Sequence, residues 1–189
     1  MDRRHELINY AIKKFKYTSY LEIGVNYSEA CFDIIECQDK VGVDPNRGGQ
    51  FRMTSDDFFD QNSMTFDVIF IDGLHHAEQV YKDIENSLRV LNKNGTIFMH
   101  DCSPFAEFRQ FKDGANGDVW KAAVHYRQRE DLDMIVVDID QGCGVIRCRS
   151  NQSILKIDKD YLDLEWKDLA ANRVKYLNLV TPEDFSLWL

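Results

Sequence analysis

Three acids stand at the ends of three apolar runs: Asp44 after Lys40-Val41-Gly42-Val43, Asp72 after Phe66 to Ile71, and Asp101 after Thr96 to His100. A fourth, Glu22, lies two residues before Gly24 in Tyr20-Leu21-Glu22-Ile23-Gly24. Short apolar runs stopped by turn residues read as buried strands, and open α/β sheets bind ligands at the carboxyl ends of their strands. Carboxylates placed there can accept hydroxyl hydrogens or hold a cation. Adjacent strands lie about 4.8 Å apart, so Asp72 and Asp101 would converge on one Mg²⁺ ion if their strands are neighbours. His75, three residues past Asp72, has the intrinsic pKa of a general base. Plainer roles compete. An Asp after a strand often caps the next helix, and His76 and His100 read as packing or hydrogen-bonding histidines.

The first strand suggests a ligand. Asp44 follows Gly24 by 20 residues, the spacing at which an acid takes the ribose hydroxyls of an adenosine-type ligand. A dinucleotide fingerprint would need glycines where Asn26 and Glu29 stand, and Glu29 would repel a pyrophosphate at a helix N-terminus. S-adenosylmethionine has no phosphate, and its sulfonium and ammonium are compatible with an acid such as Glu22.

Behind these residues, Leu7, Ile8, Ala11, Ile12 and Phe15 predict an amphipathic helix over 3–16. A helix is expected from Ser28 through Ile35, a weak third strand over Gln50 to Thr54, and a helix start at Ser55-Asp56-Asp57. Phe66 to Ile71 is a continuous apolar strand, the type buried on both faces. Val80, Ile84, Leu88 and Leu91 mark a helix, Asn94-Gly95 ends it, and Thr96 to Asp101 is the next strand. This is the size of a βαβ crossover. Residues 102–117 read as a long loop with Phe105, Phe108 and Phe111, suited to cover a site. After a helix from Asp118 to Arg129, only Asp140 to Cys143 separates strands at Asp133 to Ile139 and Gly144 to Cys148, so that pair must be antiparallel. Five strands alternating with helices and closed by a hairpin mean an α/β fold with a mostly parallel sheet.

The 189 residues suit a single domain, with a core over about 18–149, an N-terminal helix over 3–16 and a helical appendage over 151–189. Lys and Arg total 23 against 32 Asp and Glu, a net charge of −9, which argues against nucleic acid as a partner. The longest apolar stretch, Val68 to Ile71, is too short to span a membrane. No signal-peptide core follows the N-terminus, and five cysteines without a Cys-x-x-Cys pair point to a reducing cytoplasm. The expected partner is a small-molecule or glycan acceptor. A homo-oligomer is compatible with the sequence.

Leu21 to Ser28 resembles motif I of class I S-adenosylmethionine-dependent methyltransferases, with Gly24 kept and Asn26 and Ser28 in place of the later glycines. Ile71-Asp72-Gly73-Leu74-His75, with Val80, Asp83 and Gly95 to Asp101, is similar to the macrocin- and mycinamicin-type sugar O-methyltransferase branch. Gly117 to Lys121 and Gly142 to Ile146 also look like it. The resemblance implies a Rossmann-like sheet of seven strands in the order 3-2-1-4-5-7-6. It implies O-methylation of a sugar, glycan or small-molecule hydroxyl, with Glu22, Gly24, Asn26, Tyr27, Ser28, Asp44, Ser55, Asp56 and Asp72 at the cofactor. It further implies Mg²⁺ on Asp72 and Asp101, with His75 and Asp72 catalytic. Cys102 departs from the asparagine that follows the second acid in related catechol-type enzymes. An NAD-dependent oxidoreductase, a metal-dependent hydrolase or oxygenase, and a non-catalytic S-adenosylmethionine-binding module are the competing classes.

Overall fold

The structure, a computed structural model, describes residues 1–111 and 115–189. In chain order the elements are α1 (Arg4–Phe15), β1 (Ser19–Ile23), β2 (Asp39–Val43), α2 (Ser55–Gln61), β3 (Phe66–Ile71), α3 (Ala77–Val90) and β4 (Leu91–Met99). They continue as α4 (Val119–Tyr126), β5 (Asp133–Val137), β6 (Cys143–Arg147), α5 (Trp166–Leu177), β7 (Leu179–Val180) and α6 (Pro182–Trp188). The seven strands form one sheet in the order β2-β1-β3-β4-β6-β5-β7. The β1–β2, β1–β3, β3–β4 and β5–β7 pairs are parallel, and β6 runs antiparallel to both β4 and β5.

This is the expected Rossmann-like order, with two local differences. The expected third strand over 50–54 is reduced to one parallel bridge, Val43 to Phe51, and the tail adds β7 at the opposite edge. Between β1 and β2 the chain forms two short 3₁₀ turns, Ser28–Ala30 and Phe32–Ile34, where a helix was expected. Cys31, at φ −149°, breaks the run. Its thiol, Phe32 and Ile35 then pack down onto Tyr20 and Val25. Burial of those side chains outweighs a helical repeat too short to stabilise itself. The helix after β3 also ends earlier than expected, at Val90, and β4 begins at once.

Strand side chains alternate between two cores. Leu21, Ile23, Ile69, Ile71 and Ile97 face α2, α3, α4 and α5. Tyr20, Val68, Phe70 and Phe98 face the other way, onto Leu7, Ile8, Ala11 and Ile12 of α1 and Phe185 of α6. Each fully buried Leu or Ile in such a layer is worth about 1.5–3 kcal/mol. With both faces covered, only the strand ends are open to a ligand. No described helix is long and apolar enough to cross a membrane.

Candidate active site

A cleft of about 1600 Å³ runs along the carboxyl ends of β1, β2 and β3. Its floor begins at Gly24, whose φ of +87° lies in the region open to glycine. A β-carbon there would meet the Asp72 carbonyl oxygen at 2.2 Å, so the bare backbone lets β1 and β3 close at this point. Asn26, also left-handed at φ 48°, turns its N–H to Asp44.

Asp44 is 7% exposed and lines the cleft. Its Oδ2 accepts from the Asn26 N–H at 2.9 Å, and its Oδ1 from the Asn46 and Arg47 N–H groups at 2.8 and 2.9 Å. Three backbone donors fix the carboxylate at the tip of β2. Tyr27, Ser55 and Asp56 also line the cleft, the last two at the head of α2. Gln79 of α3 bonds Ser55 Oγ, Asp56 Oδ1 and Asp83 Oδ1 at 3.3, 3.0 and 3.1 Å, tying that helix head in place.

Two expected cofactor residues sit elsewhere. Ser28 donates to Asp33 at 2.7 Å and does not line the cleft. Glu22 is 2% exposed beneath the floor, where it accepts from the Tyr20 hydroxyl. Alternation puts Glu22 on the same sheet face as Tyr20, against α1 and away from the cleft. Burial pushes its carboxyl up to about 8, against the Tyr20 hydrogen bond and with the Asp72 charge adding to the rise.

Asp72 does not cap α3. Asp118, from the loop before α4, takes the Ala77 N–H at 2.7 Å. Asp72 instead enters a polar cluster. Its Oδ1 lies 3.3 Å from His75 Nε2 and 3.3 Å from His100 Nδ1, and its Oδ2 lies 3.8 Å from Arg4 Nε. Burial alone would raise Asp72, but the charge and hydrogen bond of His100, the His75 hydrogen bond and the Arg4 charge hold it well below the carboxylate range.

Asp101, left-handed at φ 61°, turns back toward the same place. Its Oδ2 lies 3.3 Å from His75 Nδ1 and 3.2 Å from His100 Nδ1, while Oδ1 accepts from the Asn116 amide at 2.9 Å. His75 Nδ1 donates to the Ala115 carbonyl at 2.6 Å, which fixes that tautomer and leaves Nε2 for proton transfer. His75 rises above its ordinary value: burial would lower it, and the Asp72 hydrogen bond, the Asp101 charge and the Ala115 carbonyl outweigh that effect. His76 is exposed at the cleft wall.

The cluster contains residues with no local signal in the sequence. Arg4 comes from the first turn of α1, and Asp140 from the hairpin turn between β5 and β6. Glu165, Trp166 and Lys167, at the start of α5, form part of the far wall with Glu107 and Gln110. Of the expected covering loop, Phe111 lines the cleft, Phe105 and Phe108 meet edge to face with ring centroids 5.7 Å apart, and residues 112–114 lie outside the described residues.

Asp72, His75 and Asp101 offer donor atoms that all lie within 4.8 Å of one another, so they meet a divalent cation's requirement in reach. They do not meet it in free donors. One oxygen of each acid is shared by the two imidazoles, the second Asp101 oxygen is bonded to Asn116, and the second Asp72 oxygen faces Arg4. Mg²⁺ requires near-octahedral oxygen ligation at about 2.0–2.1 Å. The Cys102 thiol is no oxygen ligand, and it donates to the Met99 and His100 carbonyls.

Residues 21–102 match the sequence profile of a methyltransferase-domain family. No curated protein sequence matches the chain significantly. Among solved structures, it is similar to a Podospora anserina methyltransferase bound to S-adenosylhomocysteine, at 15% identity and a TM-score of 0.56, over 79% of this chain and 80% of that one. It is also similar to a Streptomyces achromogenes O-methyltransferase of tomaymycin synthesis in complex with S-adenosylmethionine, at 12% identity and a TM-score of 0.56, over 78% and 80%. A Bacillus cereus O-methyltransferase in complex with S-adenosylhomocysteine gives 12% identity and a TM-score of 0.52, over 76% and 79%. At these identities the likeness is one of fold. Residues 21–102 thus match a methyltransferase-domain profile, and the chain as a whole shares the fold of these methyltransferases.

Proposed function

We propose that this protein transfers the methyl group of S-adenosylmethionine to a hydroxyl oxygen of a sugar, glycan or other small molecule. The observation that carries this reading is His75: it lines the cleft, its tautomer is fixed by Ala115, and its Nε2 stands 3.3 Å from an ionised Asp72. A hydroxyl is a poor nucleophile until its proton is taken, and a neutral imidazole beside a carboxylate is built to take it. S-adenosylmethionine, when bound, supplies a methyl group on a sulfonium that leaves as a neutral thioether. Asp44 would accept the ribose hydroxyls beside the floor that Gly24 begins. Nε2 of His75 takes the acceptor's proton, and Asp72 Oδ1 receives the hydrogen bond of the imidazolium so formed.

The region after β1 supports this cofactor over NAD. A pyrophosphate sits on the N-terminus of a full helix, and here the chain has two 3₁₀ turns with Glu29 at the first. The acceptor belongs in the half of the cleft between His75 and Trp166. Acids at Glu107, Asp118 and Glu165 and a net charge of −9 disfavour a polyanion there. The Mg²⁺ ion expected on Asp72 and Asp101 has no part in this reading, because those carboxylates are already engaged. A cytoplasmic location remains part of the proposal, resting on the odd cysteine count. Calorimetric titration with S-adenosylhomocysteine and with NAD tests it: binding of the first alone is expected, and binding of NAD alone would replace this reading with an oxidoreductase.

A further inference from the structure

Beyond the shared cleft, the N-terminal helix does something its packing does not require. α1 lies on the far face of the sheet through Leu7, Ile8, Ala11 and Ile12, yet its first residue, Arg4, reaches round the strand ends into the cleft. The guanidinium Nη1 lies 3.0 Å from Asp140 Oδ2 and 3.3 Å from His100 Nε2. Its Nε, 3.8 Å from Asp72 Oδ2, is buried with no hydrogen-bond partner among the described residues. Asp140 secures the arrangement from behind: its Oδ2 also accepts the Arg4 backbone N–H at 3.2 Å, and its Oδ1 lies 3.7 Å from His100 Nε2. Asp140 is itself left-handed, at φ 44°, in a turn whose Gln141 and Gly142 carbonyls accept from Ser103 and Cys102 just past β4.

We propose that Arg4 and His100 together fill the place of a divalent metal ion at the Asp72–Asp101 carboxylate pair, with Asp140 holding the guanidinium there, so that the centre binds no divalent cation while Arg4 is in position. The imidazole of His100 bonds one oxygen of Asp72 and one of Asp101, the pair an ion would bridge. The guanidinium covers the remaining oxygen of Asp72 and is a permanent cation, so an ion entering here would meet like charge at close range. Removing the guanidinium takes away the permanent cation and uncovers Asp72 Oδ2, leaving carboxylates and the His75 and His100 imidazoles, oxygen and nitrogen donors that a divalent cation such as Mn²⁺ can use as ligands. The inference bears on how the proposed methyl transfer operates, but its test needs neither acceptor nor turnover.

The probe is Mn²⁺, followed by its paramagnetic resonance signal and by thermal unfolding, since a ligand of the folded state raises Tm. Wild type, Arg4→Met, Arg4→Lys and Asp101→Asn are compared. Wild type and Arg4→Lys should bind no Mn²⁺ at this centre. Arg4→Met should gain a site that the added Asp101→Asn substitution removes. Mn²⁺ binding by wild type that Asp101→Asn abolishes would overturn the proposal, and needs no Arg4 variant to fold. A folded Arg4→Met protein without such a site would overturn it equally. S-adenosylhomocysteine binding, measured on the same samples, reports separately on the functional reading: its failure there leaves the Mn²⁺ result standing.

Discussion

Nδ1 of His75 lies 2.6 Å from the carbonyl oxygen of Ala115, 40 residues further along the chain. A carbonyl only accepts, so the contact assigns the proton to Nδ1 and turns Nε2 toward Asp72. Gly117, at φ +59°, makes this approach possible, because a β-carbon there would strike the His75 carbonyl oxygen at 1.8 Å. The loop before α4 thus sets both the position and the tautomer of the proposed base.

Replacement of His75 by Ala should lower the single-turnover methyl-transfer rate by roughly 10²–10⁴-fold, the contribution of a positioned base. S-adenosylhomocysteine affinity should hardly change. His76→Ala, altering an exposed neighbour with no such anchor, should retain most of the rate. Equal losses in the two variants would move the base elsewhere, with His100 next to be tested.

The pH profile carries its own signature. A base must be neutral to act, and the carboxylates raise His75 above its ordinary 6.5. The rate should therefore climb with pH to a midpoint above 6.5 and then level off. Asp72→Asn removes the chief hydrogen bond that raises it and should shift that midpoint downward. A midpoint unmoved by Asp72→Asn would detach the profile from His75.

At the other end of the cleft, Asp44→Asn should weaken S-adenosylhomocysteine binding. Each charge-assisted hydrogen bond lost to the ribose is worth about 1.5–3 kcal/mol, or roughly 10- to 150-fold in Kd. Asn keeps an oxygen for the backbone N–H groups of Asn46 and Arg47 and gives up only the acceptor for Asn26, so the fold should survive, as checked by thermal unfolding. Unchanged affinity would remove Asp44 from the cofactor site.

Gly24→Ala should cost more than about 2 kcal/mol of stability, combining a left-handed backbone with a steric collision. The β-carbon would lie 2.2 Å from the Asp72 carbonyl, a backbone atom that cannot swing away. Denaturant unfolding measures it, and a loss under about 0.5 kcal/mol, typical of surface changes, would contradict the close approach.

Glu22 makes a prediction about stability alone. Its carboxyl is raised from 4.5 to about 8 in the folded state, chiefly by burial. Between those values the folded chain keeps a proton that the unfolded chain releases, so stability falls as pH rises through that window, by up to about 1.4 kcal/mol per pH unit. Glu22→Gln cannot titrate and still offers an oxygen to Tyr20. Its Tm should exceed that of wild type near pH 8 and show less decline from pH 5, with S-adenosylhomocysteine affinity retained. A Glu22→Gln protein that loses the ligand would return this residue to the cofactor site.

Much of the scaffold follows from local patterns in the chain. Buried strands are short apolar runs that stop at turn residues, so β1, β2, β3, β5 and β6 and the acids at their ends can be read in order along the sequence. The short Asp140-to-Cys143 link allows only an antiparallel pair, and the 20 residues from Gly24 to Asp44 suggest an adenosine-type ligand. Tertiary packing decided the remainder. The run from Ser28 to Ile35 has helical spacing but forms two 3₁₀ turns, with Cys31, Phe32 and Ile35 packed in the same cluster as Tyr20 and Val25. Glu22 lies under the floor because alternation ties it to the face of Tyr20, and which face that is depends on where α1 packs. Arg4 and Asp140 meet across 136 residues, Ala115 and Trp166 reach the cleft, and Asn116 reaches Asp101, from segments with no pattern of their own. A contact between distant segments depends on how helices and turns dock on both sides of the sheet. No spacing within either segment encodes it, so the acids could be placed from the sequence and their partners only from the fold.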